Sequence, residues 1–206
     1  MPSMATMKIY GTAGRAKRAL WAAEEAGVQV ETVEIPLRPG EGIYPDGPES
    51  AKAEFIEKIN PFGAIPVLQD GDMMLRESMA INMYLAKKGG GMFAPQTLEE
   101  DAQCQQWSLW CVSACEQAAL AIMFASVAGE ESPPEHVASL TKALSGLDAA
   151  LVSAGSGFLV GERFTVADLN VASVLNWAKR GNFDISQFDA VSAWLDACTS
   201  RATAKL

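Results

Sequence analysis

The sequence predicts an α/β domain followed by a domain built only of helices, and three observations indicate this fold class. Before residue 88, short apolar segments alternate with helical patterns, whereas from Thr97 onward every pattern has helical spacing. The run Gly89-Gly90-Gly91 marks a linker between the two halves. A hydrophobic content of 49% is enough to form packed cores. We therefore predict two domains, residues 1–88 and residues 95–206.

The first half contains a βαβ unit, then a helix, a hairpin and a final helix. The predicted strands cover residues 8–10, 30–35, 65–68 and 73–75, and the predicted helices cover residues 15–26, 51–59 and 78–87. Gly27 ends the first helix, and Asp70-Gly71 turns the hairpin. Residues 38–50 are rich in proline and glycine, which predicts a loop. This order of elements predicts a thioredoxin-like layer architecture.

In the second half the helical patterns cover residues 98–127, 135–154, 166–180 and 188–200. Thr165 is a candidate N-cap with Asp168 three residues later, which is the spacing of a capping box. The helix that follows is apolar on nearly all sides, so we expect it to be buried.

Charge and composition argue against several classes of partner. A net charge of -9 and a pI near 4.7 disfavour nucleic acid and anionic membrane surfaces. We see no apolar run approaching the roughly 20 residues of a membrane span. The 4 cysteines show no paired spacing, which favours free thiols in a reducing compartment such as the cytoplasm. The single His136 predicts no multi-histidine metal site.

The segment from Asn60 to Ser78 carries the strongest functional signal. Pro66 lies inside a short apolar run, and proline belongs at the start or the edge of a strand. A cis Ile65–Pro66 bond would leave the main chain of Ile65 free to pair with an extended ligand. Glu77 and Ser78 fall at a helix start, where N–H groups favour an anion. A backbone edge beside an anion site predicts a small acidic peptide as ligand.

Residues 60–68 and 77–81 resemble the glutathione-binding motif of the cytosolic glutathione transferases, of the bacterial type. Residues 8–11, 15–27 and 161–168 also resemble family segments, so the resemblance covers nearly the whole chain. It implies the thioredoxin-like domain plus an all-helical domain. It also implies that the backbone of Ile65 binds glutathione. The resemblance further implies that Glu77 binds the ammonium of the γ-glutamyl group and that Ser78 binds the carboxylate of the same group. Ala64 stands where several classes have a Lys or Gln that binds the glycyl end of glutathione. Lys52 is expected to make this contact instead, with Arg38 or Lys58 as alternatives.

This sequence departs from the family at the residue that activates the glutathione thiol. Gly14 stands where related sequences have a serine, directly before Arg15-Ala16, and no cysteine precedes Cys104. The first candidate donor to the thiol is therefore Thr12, the second is Tyr10 at the strand end, and the third is the backbone of residues 11–14 alone. The resemblance places an acceptor pocket beside the long helix, with Tyr10, Trp110 and Ser113 as candidates.

The expected activity is conjugation of the glutathione thiolate to an electrophilic small molecule, as in detoxification, or reduction of hydroperoxides. Glutathione is the expected co-substrate, no metal is expected, and the family implies a homodimer with the first domain of one subunit against the helices of the other. The alternative is a non-catalytic glutathione-binding or scaffolding relative, which the missing serine supports. A cysteine-type disulfide reductase is disfavoured.

Overall fold

The computed structural model describes residues 6–38 and 41–204, which separate into two compact units with the boundary between Gly89 and Gly90. The first unit mixes strands and helices, and the second contains helices. The predicted fold class is confirmed.

Four strands of the first unit form one sheet in the order β2-β1-β5-β6. The elements are β1 Met7–Tyr10, α1 Ala16–Glu25, β2 Val30–Val33, β3 Leu37–Arg38, β4 Gly42–Ile43, α2 Glu49–Lys58, β5 Val67–Asp70, β6 Met73–Arg76 and α3 Ser78–Gly89. β1 pairs in parallel with β2, while β1–β5 and β5–β6 are antiparallel. The βαβ unit and the hairpin are therefore present as predicted.

Helices cover both faces of this sheet. Ile9 and Leu68, which are partners across β1 and β5, are fully buried on the face of α1 and α3. On the opposite face, Ile65, Val67 and Phe55 of α2 form a second apolar cluster. Because side chains alternate along a strand, β1 contributes Ile9 to one face and Tyr10 to the other, and β5 contributes Leu68 and Val67 in the same way.

The segment predicted as a loop, residues 38–50, contains more structure than the sequence indicated. β3 and β4 form a small antiparallel pair in which Leu37 lies opposite Ile43. Ile43 is buried, so this pair adds an apolar side chain to the cluster on the α2 face. The loop prediction followed from the prolines and glycines, whose spacing also suits the turns of a short hairpin.

The helical unit is built around one buried helix. Its elements are α4 Leu98–Cys111, a π-helical segment Val112–Glu116, α5 Gln117–Ala128, α6 Pro134–Ala154, α7 Val166–Arg180 and α8 Asp189–Thr199. α7 packs against α4, α5 and α8, and its buried side chains confirm the prediction from its composition. The long helix predicted over residues 98–127 is correct in extent, but the π-helical segment interrupts it.

The capping box at the start of α7 is confirmed. The Asp168 carboxylate accepts hydrogen bonds from Thr165 N (2.8 Å), Thr165 Oγ1 (3.0 Å), Leu159 N (2.9 Å) and Trp194 Nε1 (2.9 Å). Burial raises the pKa of Asp168, and these four donors oppose that rise. The box therefore ties α8 and the preceding loop to the start of α7.

Two helical stretches, Leu98–Ala128 and Pro134–Ala154, are long and apolar enough to cross a membrane by length and composition alone. This differs from the expectation that no stretch approaches that length. Core helices of globular proteins pass the same test, and both stretches here pack against other helices of the unit.

A bidentate ion pair fastens the start of α4. Arg163 Nη2 lies 2.6 Å from Glu100 Oε2, and Nη1 lies 2.9 Å from Oε1. The backbone N–H of Gln96 also donates to this carboxylate at 2.7 Å. Donation from Arg163 is the main cause that lowers the pKa of Glu100 to about 2. The pair therefore stabilises the folded chain above the pKa of an unfolded glutamate, about 4.3, and this stability is lost as the pH falls towards 2.

We expect Glu100→Gln to lower the free energy of unfolding by about 1.5–3 kcal/mol at pH 7, as for a hydrogen bond to a charged group. The difference from wild type is expected to shrink between pH 5 and pH 2, because the unfolded wild type takes up a proton at this carboxyl over that range while the folded wild type keeps it ionised until the pH nears 2. Urea unfolding at several pH values measures it. Glu135→Gln, at an exposed acid of another helix start, is the control, and a constant difference at all pH values contradicts the assignment to Glu100.

Candidate active site

The turn before β5 is organised by a buried asparagine. Asn60, which is 2% exposed, donates from Nδ2 to the Ala64 carbonyl at 2.7 Å and accepts from the Phe62 N–H at 3.1 Å. The Ile65–Pro66 bond that follows is cis. Among the described residues, neither the N–H nor the C=O of Ile65 has a backbone partner. The main chain of Ile65 is therefore available to a ligand, and Asn60 is a positioning residue that the sequence showed only as a turn former.

Gly11 brings the loop between β1 and α1 against this edge. Its φ is +105°, and a Cβ placed on it would lie 2.7 Å from Ile65 Cδ1 and 2.9 Å from Ile65 Cβ. Both distances are too short for any side chain, so only glycine allows this approach. The structure thus brings together the loop expected to activate the thiol and the edge expected to bind the peptide.

The same loop presents donors that have no protein partner. In the described part of the chain, the N–H groups of Thr12, Ala13 and Gly14 and the hydroxyl of Thr12 make no hydrogen bond. Thr12 is half-buried, and α1 begins shortly afterwards at Ala16. Successive free N–H groups beside a helix start form an anion-binding nest. Their position suits a thiolate.

Tyr10 is engaged elsewhere. Its hydroxyl donates to Gln69 Oε1 at 2.7 Å, and its ring packs against the apolar cluster on the α2 face of the sheet. The structure therefore gives Tyr10 a packing role and a hydrogen-bond partner of its own. Leu37 of β3 also approaches the loop, since its Cδ2 is 3.4 Å from the Cβ position of Gly14.

Glu77 lies in an unusual backbone conformation directly before α3. Its φ is +67°, in the left-handed region that costs an L-residue about 1–2 kcal/mol. Glu77 is exposed, while Ser78 is only 5% exposed at the first position of α3. Strained residues persist where the surrounding structure holds them, and they cluster at ligand sites. The exposed Glu77 carboxylate can therefore accept hydrogen bonds, and the adjoining start of α3 at Ser78 can bind an anion.

The three candidate basic residues differ in their partners. Arg38 is paired with Glu41 at 2.8 Å and also with Asp46, and Lys58 is paired with Glu54 at 3.0 Å. Lys52 of α2 is half-buried and makes no ion pair within the described residues. Lys52 is thus the candidate with a free ammonium group.

Trp110 and Ser113 line one pocket of about 370 Å³ in the helical unit. The other lining residues are Ala114, Ser139, Lys142, Ala143 and Gly146. Among the residues that the structure describes, no group of histidine, cysteine, aspartate and glutamate side chains has the arrangement of a metal site.

Among the described residues, the first unit presents a free backbone edge at Ile65, a strained acid at Glu77 and successive free N–H groups beside the start of α1, and comparison with known proteins identifies the family. Residues 5–87 match the N-terminal domain of glutathione S-transferases, and residues 111–202 match the C-terminal domain. Glutathione S-transferase 4 of Zea mays is 31% identical, covering 96% of this chain and 90% of its own length. The chain therefore belongs to the glutathione S-transferase family.

Solved structures show the same similarity. Glutathione transferase F7 from Populus trichocarpa superimposes with a TM-score of 0.80 at 26% identity, covering 97% of this chain and 96% of its own. A glutathione S-transferase I bound with lactoylglutathione gives a TM-score of 0.77 at 28% identity, covering 97% of both chains.

Proposed function

We propose that this glutathione S-transferase uses the thiolate of glutathione to attack an electrophilic carbon of a small molecule, or to reduce a hydroperoxide. The observation that carries the proposal is the approach of Gly11 to Ile65, which sets the free donors of residues 12–14 beside a free backbone edge. The relative bound with lactoylglutathione, a glutathione thioester by its name, supports glutathione as the co-substrate.

The first step is formation of the thiolate. The thiol releases its proton to solvent, and the charge left on sulfur is stabilised by the Thr12 hydroxyl and by the N–H groups of residues 12–14. The sulfur lone pair then forms the C–S bond while the leaving group departs with the electron pair of its own bond. Tyr10 remains the second candidate donor, but its hydroxyl already donates to Gln69, which favours Thr12.

Glutathione lies along the edge at Ile65, with its γ-glutamyl ammonium at Glu77 and the adjoining carboxylate at Ser78 and the start of α3. Lys52 receives the carboxylate of the glycyl residue, in place of the contact that Ala64 does not make. The free ammonium of Lys52, against the paired Arg38 and Lys58, supports this choice. Trp110 and Ser113, which line a pocket in the helical unit, are the candidate residues for the acceptor.

Lys52→Ala is expected to weaken glutathione binding by up to about 1 kcal/mol, as for a solvent-accessible ion pair. The same substitution is expected to leave γ-glutamylcysteine binding unchanged, because that dipeptide lacks the glycyl residue. Titration calorimetry with both ligands measures the two effects. Lys58→Ala is the matched control on the same helix, and an equal loss for both ligands contradicts the assignment.

The second candidate function is glutathione binding without catalysis, and Gly14 at the usual serine position is the observation in its favour. Conjugation of glutathione to an aryl halide, measured beside retention on immobilised glutathione, separates the two functions. We expect retention with turnover above the uncatalysed rate. Retention without turnover for aryl halide and hydroperoxide alike would identify a scaffolding relative.

We also propose that the protein forms an isologous homodimer in the cytoplasm with small molecules, and neither nucleic acid nor membrane, as its partners. Exposed apolar side chains such as Phe62, Leu98 and Val127 support self-association, and the four cysteines, which are buried and form no disulfide, suit a reducing compartment. Light scattering at micromolar concentration is expected to give twice the 21.9 kDa of one chain. The mass of a single chain rules the dimer out.

A further inference from the structure

Arg76 occupies the last position of β6, directly before the strained Glu77. It lies opposite Val67 in the antiparallel β5–β6 pair, and this register places Ile65 and Glu77 just beyond the same end of the two strands. The backbone edge and the acid that are expected to bind glutathione therefore both adjoin the strand end that carries Arg76.

The side chain of Arg76 reaches a second element that shapes this site, the end of α2. Its Nη2 donates to the Ile59 carbonyl at 2.9 Å. Ile59 is the C-cap of α2, where carbonyls have no partner within the helix and a positive charge is favourable. Asn60 follows directly, and its side chain donates to the Ala64 carbonyl immediately before Ile65. Arg76 therefore connects the end of β6 with the helix end from which the turn to Ile65 begins.

The guanidinium of Arg76 is not matched by a carboxylate. It is half-buried and makes no ion pair with the residues that the structure describes. Its Nε is buried and has no hydrogen-bond partner in the described part of the chain. A buried donor without a partner costs stability, and such a group in a native protein calls for an explanation other than stability. The bond to Ile59 supplies one, because it joins two elements of the same site.

We propose that Arg76 is a positioning residue for glutathione, which holds the end of α2 at a fixed distance from Glu77 so that one peptide reaches both Glu77 and the Ile65 edge. This role presupposes that glutathione binds as proposed. A ligand that bridges two contact points binds more tightly than its fragments only while the separation of those points is held. The bond from Arg76 to Ile59 holds that separation, although Arg76 need not touch the ligand.

Titration calorimetry with glutathione and with γ-glutamylmethylamide, a fragment that lacks the cysteinyl and glycyl parts, tests the proposal. Arg76→Met keeps an unbranched stem and removes the donor, so we expect it to weaken glutathione binding about tenfold and fragment binding not at all. Arg76→Lys restores a donor and is expected to bring the glutathione affinity to within about threefold of wild type. Lys8→Met, which removes a cation of β1 that pairs with Glu31, is the control and is expected to change neither affinity.

Two further measurements distinguish positioning from a general loss of stability. The urea midpoint of Arg76→Met is expected to stay at or above that of wild type, because an apolar side chain removes the unpartnered donor. In conjugation of an aryl halide, the KM for glutathione is expected to rise about tenfold while kcat at saturation stays within about twofold of wild type, because the loop of residues 11–14 is untouched.

Wild-type glutathione affinity in Arg76→Met overturns the proposal, and so does an equal loss of affinity for glutathione and the fragment. A fall in the urea midpoint of Arg76→Met without recovery of binding in Arg76→Lys also overturns it, since Arg76 then serves stability alone. In each of these cases wild type still binds glutathione, and the proposed function stands. No glutathione binding by wild type overturns both.

Discussion

Thr12→Val is expected to raise the apparent pKa of the bound glutathione thiol and to shift the pH profile of turnover to higher pH. Valine keeps the shape of threonine and removes the hydroxyl, which has no other partner among the described residues. Loss of one donor aimed at a developing anion costs about 2.7–4 kcal/mol in other enzymes, and the effect on an already stable thiolate is smaller. A rise of about one pKa unit would lower the rate near neutral pH about tenfold.

Tyr10→Phe is the matched comparison, because it also removes one hydroxyl near the end of β1. The Tyr10 hydroxyl donates to Gln69 Oε1, so we expect its loss to affect stability and to leave the thiol pKa unchanged. The measurement is the pH dependence of kcat/KM for an aryl halide in wild type and both variants. A shift in Tyr10→Phe alone would transfer the role to Tyr10. No shift in either would assign activation to the backbone N–H groups.

The turn and cis bond before β5 and the helix start at Ser78 were predictable because their signals are local in sequence. Pro66 within an apolar run indicates the start or the edge of a strand, and the structure places it directly before the first residue of β5, which is an interior strand. Glu77-Ser78 after a hairpin indicates a helix start. The Thr165–Asp168 box was readable for the same reason, since both partners lie within one helical turn.

Features that depend on distant contacts were not predictable. The φ of +105° at Gly11 follows from the approach of Ile65, more than fifty residues later in the chain. The β3–β4 pair gains its stability by burying Ile43 in a cluster that includes Phe55. The π-helical segment was not predictable from periodicity, because its 5 residues are too few to establish a side-chain period of their own.

Glu77 combines a property that the sequence predicts with one that only the structure shows. The sequence indicated its ligand, the ammonium of the γ-glutamyl group, but not its φ of +67°. An L-residue there is strained, and glycine is not. Glu77 is therefore expected to make a charged hydrogen bond to glutathione while its own backbone is strained. Substitutions that change only one of these two properties separate their effects.

Glu77→Gly and Glu77→Ala are both expected to weaken glutathione binding by about 1.5–3 kcal/mol, the contribution of a hydrogen bond to a charged group. The two variants are expected to differ in stability, because only glycine relieves the left-handed strain. We expect Glu77→Gly to unfold at a higher urea concentration than Glu77→Ala, by about 1 kcal/mol in free energy. Titration calorimetry and urea unfolding give the two quantities separately.

Glu77→Gln completes the series, because glutamine keeps an acceptor oxygen and the strain but removes the charge. Its glutathione affinity is expected to lie between those of wild type and Glu77→Ala. Wild-type affinity in all three variants would remove Glu77 from the site. Equal stability of the glycine and alanine variants would show that the backbone relaxes out of the left-handed region once the carboxylate is gone, so that the side chain itself holds the strained conformation.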